Sequence, residues 1–167
     1  MVKYSNETLQ DGVSISEVYH QDILNDADKF EQIFGLQKEF DSAEKKYYKD
    51  LLLGWVDCTK TELRDNLINK VSRIFVASYM GKFIGFLTLY PSKMGKDSYV
   101  IAELVVSKSM RGKRIGRRLL EYTFENTKGY NLFLTVTATN EAGRHLYESV
   151  GFKPVSTFMV RNKNNKR

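Results

Sequence analysis

The sequence predicts a mixed α/β (α+β) domain whose mostly antiparallel sheet is flanked by helices. Apolar residues recur at helical spacing between positions 21 and 69. Three segments rich in β-branched and aromatic residues then follow within 73–106, separated by short turns or loops. A chain of 167 residues buries enough surface for one core, so we expect a single domain over 1–160.

The first half of the chain is expected to hold one strand followed by two helices. Residues 12–18 alternate well enough for the strand. Two apolar stripes at helical spacing come next, the first with Phe30, Ile33 and Phe34 and the second with Tyr48, Leu51, Leu52, Trp55 and Val56. Gly35 and Gly54 are the expected interruptions, which favours two helices with a break over one long rod.

A run of antiparallel strands is expected in the middle of the chain. RIFVASYM (73–80) and KFIGFLTLY (82–90) are separated by a tight turn at Gly81, which is typical of a hairpin. YVIAELVV (99–106) adds a third strand after a polar loop.

The remaining segments alternate between helices and strands. Ile115, Leu119 and Tyr122 or Thr123 keep helical spacing, and this helix is expected to end near Gly129. A strand over 131–138, a helix over 140–152 and a strand over 156–160 that closes the sheet are expected next.

Composition excludes several classes of protein. No run approaches the roughly 18 apolar residues that span a bilayer, and the first residues lack an apolar signal-peptide core. We therefore expect no membrane association and a cytoplasmic location. Cys58 is the only cysteine, which excludes an intrachain disulfide and a multi-cysteine zinc site, and we expect no metal site.

The net charge of +6 is concentrated near the C-terminus. Residues 161–167 hold four basic residues and no acidic one, while the rest of the chain has 22 basic residues against 20 acidic ones. We expect 161–167 to form a basic, disordered tail, with weak attachment to RNA or the ribosome as the alternative. The nearly neutral body argues against a nucleic-acid partner.

A basic turn leads from the third strand of this run into a helix. Residues 111–118 include five basic side chains and two glycines. Three features of this stretch suit a phosphate. The helix start leaves backbone N–H groups free, Gly112 and Gly116 let an anion approach the backbone closely, and the arginines add positive charge. The stretch matches neither the nucleotide P-loop nor the dinucleotide glycine pattern. A plain turn with a solvated face is the alternative.

Two motifs follow one another at and after this turn. Arg111 and Gly116 fit the pattern Q/R-x-x-G-x-G/A, with Arg114 where the middle glycine usually stands. An arginine there can supply charge in place of close approach if its backbone stays in an allowed helical conformation. Every defined position of N-x-x-A/G-x-x-L-Y-x-x-x-G-F is then matched, by Asn140, Gly143, Leu146, Tyr147, Gly151 and Phe152. Together the motifs resemble the acetyl-CoA-binding core of the GNAT superfamily of N-acetyltransferases, over about residues 72–160.

The resemblance implies a fold, a cofactor and a reaction. The fold is a GNAT-like sheet with acetyl-CoA between two splayed strands, one ending near Val106 and one starting near Asn131. The reaction is transfer of acetyl from acetyl-CoA to a primary amine, directly within a ternary complex. The implied cofactor-binding residues are the backbone of Leu104, Val105 and Val106, the turn residues Arg111, Gly112, Lys113, Arg114, Ile115, Gly116 and Arg117, and Asn140, which also suits a helix cap.

Two residues are the catalytic candidates that the resemblance implies. Tyr147 lies about two helical turns after Asn140, and a phenol with pKa near 10 can protonate a thiolate whose acid has a pKa of about 8.5. A core tyrosine is the alternative. Glu103 is the carboxylate of its strand and a candidate general base, acting directly or through water, with an ordinary polar-face residue as the alternative. Thr135 stands where some family members place a glutamate base instead.

The acceptor amine and the rival functions stay open. The acceptor is a small-molecule or peptide amine. A set of acidic and aromatic residues could line a pocket for a cationic amine. The alternative is that these residues belong to a pair of amphipathic helices whose carboxylates are solvated and whose aromatic side chains lie in the core. The set is Asp22, Asp26, Asp28, Glu31, Phe34, Tyr47, Tyr48 and Trp55. One rival function is a non-catalytic acyl-CoA sensor. The other, a nucleic-acid-binding module, predicts stacking aromatics among the basic residues of 111–118, which contain none. A homodimer is among the open oligomeric states.

Overall fold

The structure is a computed structural model that describes residues 7–8, 12–50, 54–157 and 159. Its sheet contains β1 (Glu7–Thr8), β2 (Val13–Val18), β3 (Arg73–Tyr79), β4 (Lys82–Pro91), β5 (Ser98–Val106) and β6 (Asn131–Leu134). The strands lie in sequence order, and every neighbouring pair is antiparallel except β5 and β6, which are parallel. The predicted mixed, mostly antiparallel sheet is therefore confirmed.

Helices cover both faces of this sheet. They are α1 (His20–Leu24), α2 (Ala27–Asp50), α3 (Lys60–Asn69), α4 (Ile115–Asn126) and α5 (Glu141–Ser149). Alternate side chains of β3 show the division: Phe75 packs in the cluster that contains α4, whereas Ile74 packs in the cluster that contains α1, α2 and α3. Each large apolar side chain buried in this way contributes roughly 1.5–3 kcal/mol. Among the described residues, no helix is both long and apolar enough to cross a membrane.

The helical first half differs from the prediction at Gly35. Helix α2 passes through Gly35 without a break, and nothing lies within 4 Å of the position a Cβ would take there. A glycine inside a helix costs only about 1 kcal/mol, which the packing of Phe30, Ile33 and Leu36 in the core offsets. The expected interruption at Gly35 was wrong, and three helices replace the expected two. Leu51 and Leu52 of the second predicted stripe lie outside the described residues.

The hairpin forms where it was predicted. Met80 and Gly81 connect β3 to β4 with φ values of 49° and 76°. Two positive φ angles in a row are typical of the primed turns whose twist matches that of the flanking strands.

A β-bulge sets the position of the site. Thr88 pairs with Glu103 and Leu89 pairs with Ile101, which leaves Ala102 without a partner on β4. A bulge bends its strand and increases the local twist. Pairing of β5 with β6 stops at Ile101, so the two strands separate beyond the bulge.

Strand β6 is shorter than predicted for the same reason. It ends at Leu134, and residues 135–138 pair with no strand in the described part of the chain, since β5 has turned away. The predicted strand over 156–160 lies partly outside the described residues, and 156, 157 and 159 have no regular secondary structure. The predicted tail over 161–167 lies outside the described residues.

Candidate functional site

A cleft opens between the separated strands. It has a volume of about 660 Å³, within the range of small-molecule sites. Its walls come from β5, the basic turn and start of α4, residues 134–137, helix α5, and the part of α2 and Trp55 that faces them. We call this space the cleft. The predicted site residues line it, with the exceptions of Lys113 and Glu103.

Strand β5 borders the cleft with an edge that has no β6 partner. Leu104, Val105 and Val106 are paired with β4 along one edge and line the cleft along the other. Their side chains lie in the core: Val105 is 2% exposed, and Leu104 and Val106 pack against the α4 side. An unpaired strand edge beside a cavity can bind an extended ligand as an additional strand does.

The basic turn lies at one end of the cleft. Arg111 donates from Nε to the carbonyl of Val106 at 3.0 Å. Arg117 donates from Nη2 to the hydroxyl of Ser149 at 2.9 Å, which ties α4 to the end of α5. The first turn of α4 leaves backbone N–H groups without intrahelical partners. Cationic side chains and a helix N-terminus therefore face the same space, an arrangement suited to a phosphate.

The backbone of Arg114 is not helical. It stands at the N-cap of α4 with φ 60° and ψ 12°, in the left-handed region. This position requires a conformation that glycine adopts freely and that costs other residues roughly 1–2 kcal/mol. The expected condition, an allowed helical backbone at Arg114, is therefore not met. The exposed Arg114 side chain does line the cleft and adds positive charge to it.

Lys113 lies outside the cleft lining. Its side chain is exposed, and Nζ lies 3.6 Å from Sδ of Met110.

Packing explains the glycine at position 116, because a Cβ there would lie 3.2 Å from Cδ2 of Leu146 on α5. Gly116 thus allows α4 and α5 to approach each other beside the cleft, while Ile115 is buried beneath it.

Asn140 caps helix α5 at the wall of the cleft. Its Oδ1 accepts a hydrogen bond from the backbone N–H of Gly143 at 2.9 Å. A Cβ on Gly143 would lie 2.7 Å from Nδ2 of Asn140, so the glycine of this motif leaves room for the cap. The capping that the sequence suggested for Asn140 is confirmed.

Tyr147 lies in the wall of the cleft on α5. Its ring packs against Phe152 with centroids 5.9 Å apart. Burial, together with the negative charge of Glu44, raises the pKa of the Tyr147 phenol to about 12. The hydroxyl therefore keeps its proton throughout the physiological pH range.

Glu103 faces a second, smaller cavity. This space of about 220 Å³, which we call the chamber, lies between the sheet and helices α2 and α3. The Glu103 carboxylate accepts a hydrogen bond from the Thr88 hydroxyl. Burial raises the pKa of the Glu103 carboxyl, against the effect of that hydrogen bond. Phe40, Trp55 and Ala102 line both the chamber and the cleft, so Glu103 lies across a shared wall from the cleft.

The acidic and aromatic set predicted for an amine pocket is only partly brought together. Tyr47, Tyr48 and Trp55 line the cleft. The five others do not; they are Asp22, Asp26, Asp28, Glu31 and Phe34. Glu31 instead forms an ion pair with Lys60 at 2.5 Å. For these four carboxylates the structure therefore agrees with the alternative, in which they are solvated side chains of amphipathic helices.

Comparison with known proteins assigns the family. Residues 36–152 match the acetyltransferase (GNAT) family, which is more than half of the chain. The chain belongs to the GNAT family.

Two relatives of this GNAT protein carry acetyltransferase names. The probable N-acetyltransferase camello of Xenopus tropicalis is 29% identical over 124 residues, covering 72% of this chain and 53% of the relative. The uncharacterized N-acetyltransferase YhfO of Bacillus subtilis (strain 168) is 35% identical over 104 residues, covering 58% of this chain and 69% of the relative. The chain thus spans about half the length of the Xenopus protein.

A solved structure shares the GNAT fold. The PaiA N-acetyltransferase of Thermoplasma acidophilum, solved in complex with coenzyme A, superposes with a TM-score of 0.65. It is 18% identical in sequence, and the match covers 87% of this chain and 92% of that one. At this identity the likeness shows the fold.

Sequence reasoning missed one charged residue of the GNAT cleft. Glu44 lies on α2 and faces the cleft beside Tyr147. Its spacing to Tyr47 and Tyr48, three and four residues on, would have placed all three on one helix face. The predicted acidic set instead contains only carboxylates between positions 22 and 31.

Proposed function

We propose that the protein is an acetyl-CoA-dependent N-acetyltransferase that passes the acetyl group directly to a primary amine within a ternary complex. The observation that carries the proposal is the cleft itself. It opens where β5 leaves β6, has a cationic turn at one end and holds the Tyr147 phenol in its wall. A single open space of this kind can hold a donor and an acceptor side by side, which direct transfer requires.

The chain's own residues fit acetyl-CoA. The pyrophosphate needs cations and backbone N–H groups, and the turn has both. The amides of the pantetheine arm need an unpaired strand edge, and residues 104–106 line the cleft beyond the last β5–β6 pair. The proposed holders are the backbone of Leu104, Val105 and Val106, the turn residues Arg111, Gly112, Lys113, Arg114, Ile115, Gly116 and Arg117, and the Asn140 amide. When bound, acetyl-CoA supplies an acetyl thioester.

Tyr147 is the proposed general acid. Tyr147 lies in the cleft wall, and because the pKa of its phenol is raised to about 12, it is protonated at neutral pH. A group that is always protonated at neutral pH can donate a hydrogen bond, and then the proton, to a departing thiolate. The raised pKa makes full release of the proton harder than for an ordinary phenol.

Glu103 is the proposed general base, acting through water. Its carboxyl has a pKa raised by burial, and a carboxylate with a raised pKa binds a proton more strongly, as a base near neutral pH requires. The wall shared by the chamber and the cleft separates it from the acceptor by the side chains of Phe40 and Trp55 and by Ala102. In this proposal the amine gives its proton to a water molecule, which passes a proton across this shared wall to the Glu103 carboxylate.

A thermal-shift experiment followed by a thiol-release assay tests the proposed function. We expect acetyl-CoA and CoA each to raise the melting temperature, because a ligand that binds only the folded state stabilises it. We expect thiol release from acetyl-CoA to depend on an added primary amine. A thermal shift without amine-dependent thiol release would favour the acyl-CoA sensor. No shift, together with tight and salt-sensitive binding of DNA or RNA, would favour the nucleic-acid module.

A further inference from the structure

The part of the cleft wall formed by α2 and Trp55 combines one carboxylate with aromatic rings. Glu44, Tyr47 and Tyr48 share one face of α2, because residues three and four apart are neighbours on a helix. The ring of Trp55 packs against Tyr48 with centroids 5.0 Å apart and against Phe40 at 6.1 Å. All five residues line the cleft. We call this part the acceptor end.

The charges along the cleft are unevenly placed. Arg111, Arg114 and Arg117 lie at the basic turn, and Glu44 is the one carboxylate among the described residues that line the cleft. A bound pyrophosphate would pair with the arginines. The charge then remaining in the cleft is negative and lies at the acceptor end.

The Glu44 carboxylate has a hydrogen bond but no ion pair in the described part of the chain. Its Oε2 accepts from the Thr137 hydroxyl at 3.4 Å, and it is half-buried. The adjacent Lys45 is turned away and pairs with Asp57 at 2.7 Å. A partly buried carboxylate without a cation is unfavourable, and a ligand cation placed there would relieve that cost.

The rings suit the remainder of such a ligand. The faces of Tyr47, Tyr48 and Trp55 offer apolar contact to methylene groups and attract an ammonium group through the ring quadrupole. A carboxylate on the ligand would meet Glu44 and the negative ring faces, and like charges repel.

We propose that Glu44 binds a far ammonium group of the acceptor while Tyr47, Tyr48 and Trp55 hold its alkyl arm and its other, uncharged amine takes the acetyl group, so that the protein selects diamines and polyamines over amines that carry a carboxylate. This inference names the acceptor class of the same cleft and rests on the proposed function. Glu44 is assigned to recognition of the acceptor.

Three four-carbon amines that differ only at the far end test the selection. They are 1,4-diaminobutane, 4-amino-1-butanol and 4-aminobutanoate, in which the far group is cationic, neutral and anionic. We expect kcat/KM to fall in that order for the wild-type protein. Glu44→Gln should reduce the preference for the diamine over 4-aminobutanoate by about tenfold or more, the scale of a lost charged hydrogen bond. Glu125→Gln removes the same charge from an exposed position on α4 outside the cleft, and should keep the preference.

A binding measurement separates recognition from turnover. Protein saturated with CoA, which has no acetyl group to transfer, is titrated with 1,4-diaminobutane or 1,4-butanediol and followed by NMR. We expect the diamine to bind more tightly to the wild type and to Glu125→Gln, and the difference to disappear in Glu44→Gln.

Two results would overturn the inference while leaving the proposed function intact. One is amine-dependent thiol release with no preference for the diamine. The other is an unchanged preference in Glu44→Gln, with that variant still showing the thermal shift with acetyl-CoA. Failure of the proposed function itself has a different signature, since neither acetyl-CoA nor CoA would then shift the melting temperature of the wild type.

Discussion

Tyr147→Phe is expected to lower kcat by about 100-fold or more while leaving the affinity for CoA within about twofold. General acid catalysis contributes typically 10² to 10⁴ in rate, and the substitution removes the proton that Oη holds. The ring remains, so its packing against Phe152 and the shape of the cleft are kept. Steady-state kinetics with a reactive amine and calorimetric titration with CoA measure the two quantities.

The matched control for this variant is Tyr130→Phe. Tyr130 is 46% exposed and lies outside the cleft lining, so the loss of its hydroxyl should leave kcat unchanged. The pKa of the Tyr147 phenol is raised to about 12, so the phenol stays protonated between about pH 8 and about pH 10. We therefore expect that ionisation of Tyr147 causes no loss of wild-type turnover in this pH range. Unchanged turnover in Tyr147→Phe would show that the tyrosine has only a packing role.

Arg114→Gly is expected to change stability and affinity in opposite directions. Glycine relieves the left-handed conformation that Arg114 adopts at φ 60°, which should add about 1 kcal/mol and raise the melting temperature by about 2–4 °C. The loss of the guanidinium from the cationic end of the cleft should weaken CoA binding by about tenfold. Differential scanning calorimetry and titration with CoA measure the two effects.

Arg114→Ala separates the two causes. It removes the guanidinium but keeps a Cβ in the left-handed region, so we expect the same loss of affinity without the gain in stability. Equal melting temperatures for the glycine and alanine variants would contradict the conformational explanation. CoA affinity unchanged in both variants would contradict a role for Arg114 in holding phosphate.

Much of the fold could be predicted because the sequence signals were local. The hairpin at Gly81 and the helices around Leu119 and Leu146 depend on turn chemistry and on apolar spacing. The errors arose where tertiary structure overrode these signals. Gly35 is tolerated inside α2 because the helix is held by its buried face. Strand β6 is short because the unpaired Ala102 bends β5 away from it, and a bulge has no clear signature in a strand of apolar residues.

The candidate site was predictable to a similar extent. The turn at 111–117 and the motif from Asn140 to Tyr147 have short, ordered patterns, and the structure places both at one cleft. Glu103 and Glu44 could not be assigned in this way. The face of β5 on which Glu103 lies depends on the bulge before it. Glu44 reaches the cleft only because α2 packs beside residues more than 90 positions later in the chain, as its hydrogen bond with Thr137 shows.

Titration of isotopically labelled protein with CoA, followed through the backbone amide signals, tests the central claim most directly. The cleft between β5 and β6 predicts large shifts at Val106, Gly112, Gly116 and Asn140, because these residues line the proposed cofactor site. Amides of α3 and of the Met80–Gly81 turn lie outside the cleft and should be unaffected. Saturable CoA binding that leaves the four cleft amides unchanged, or no binding at all, would contradict the account.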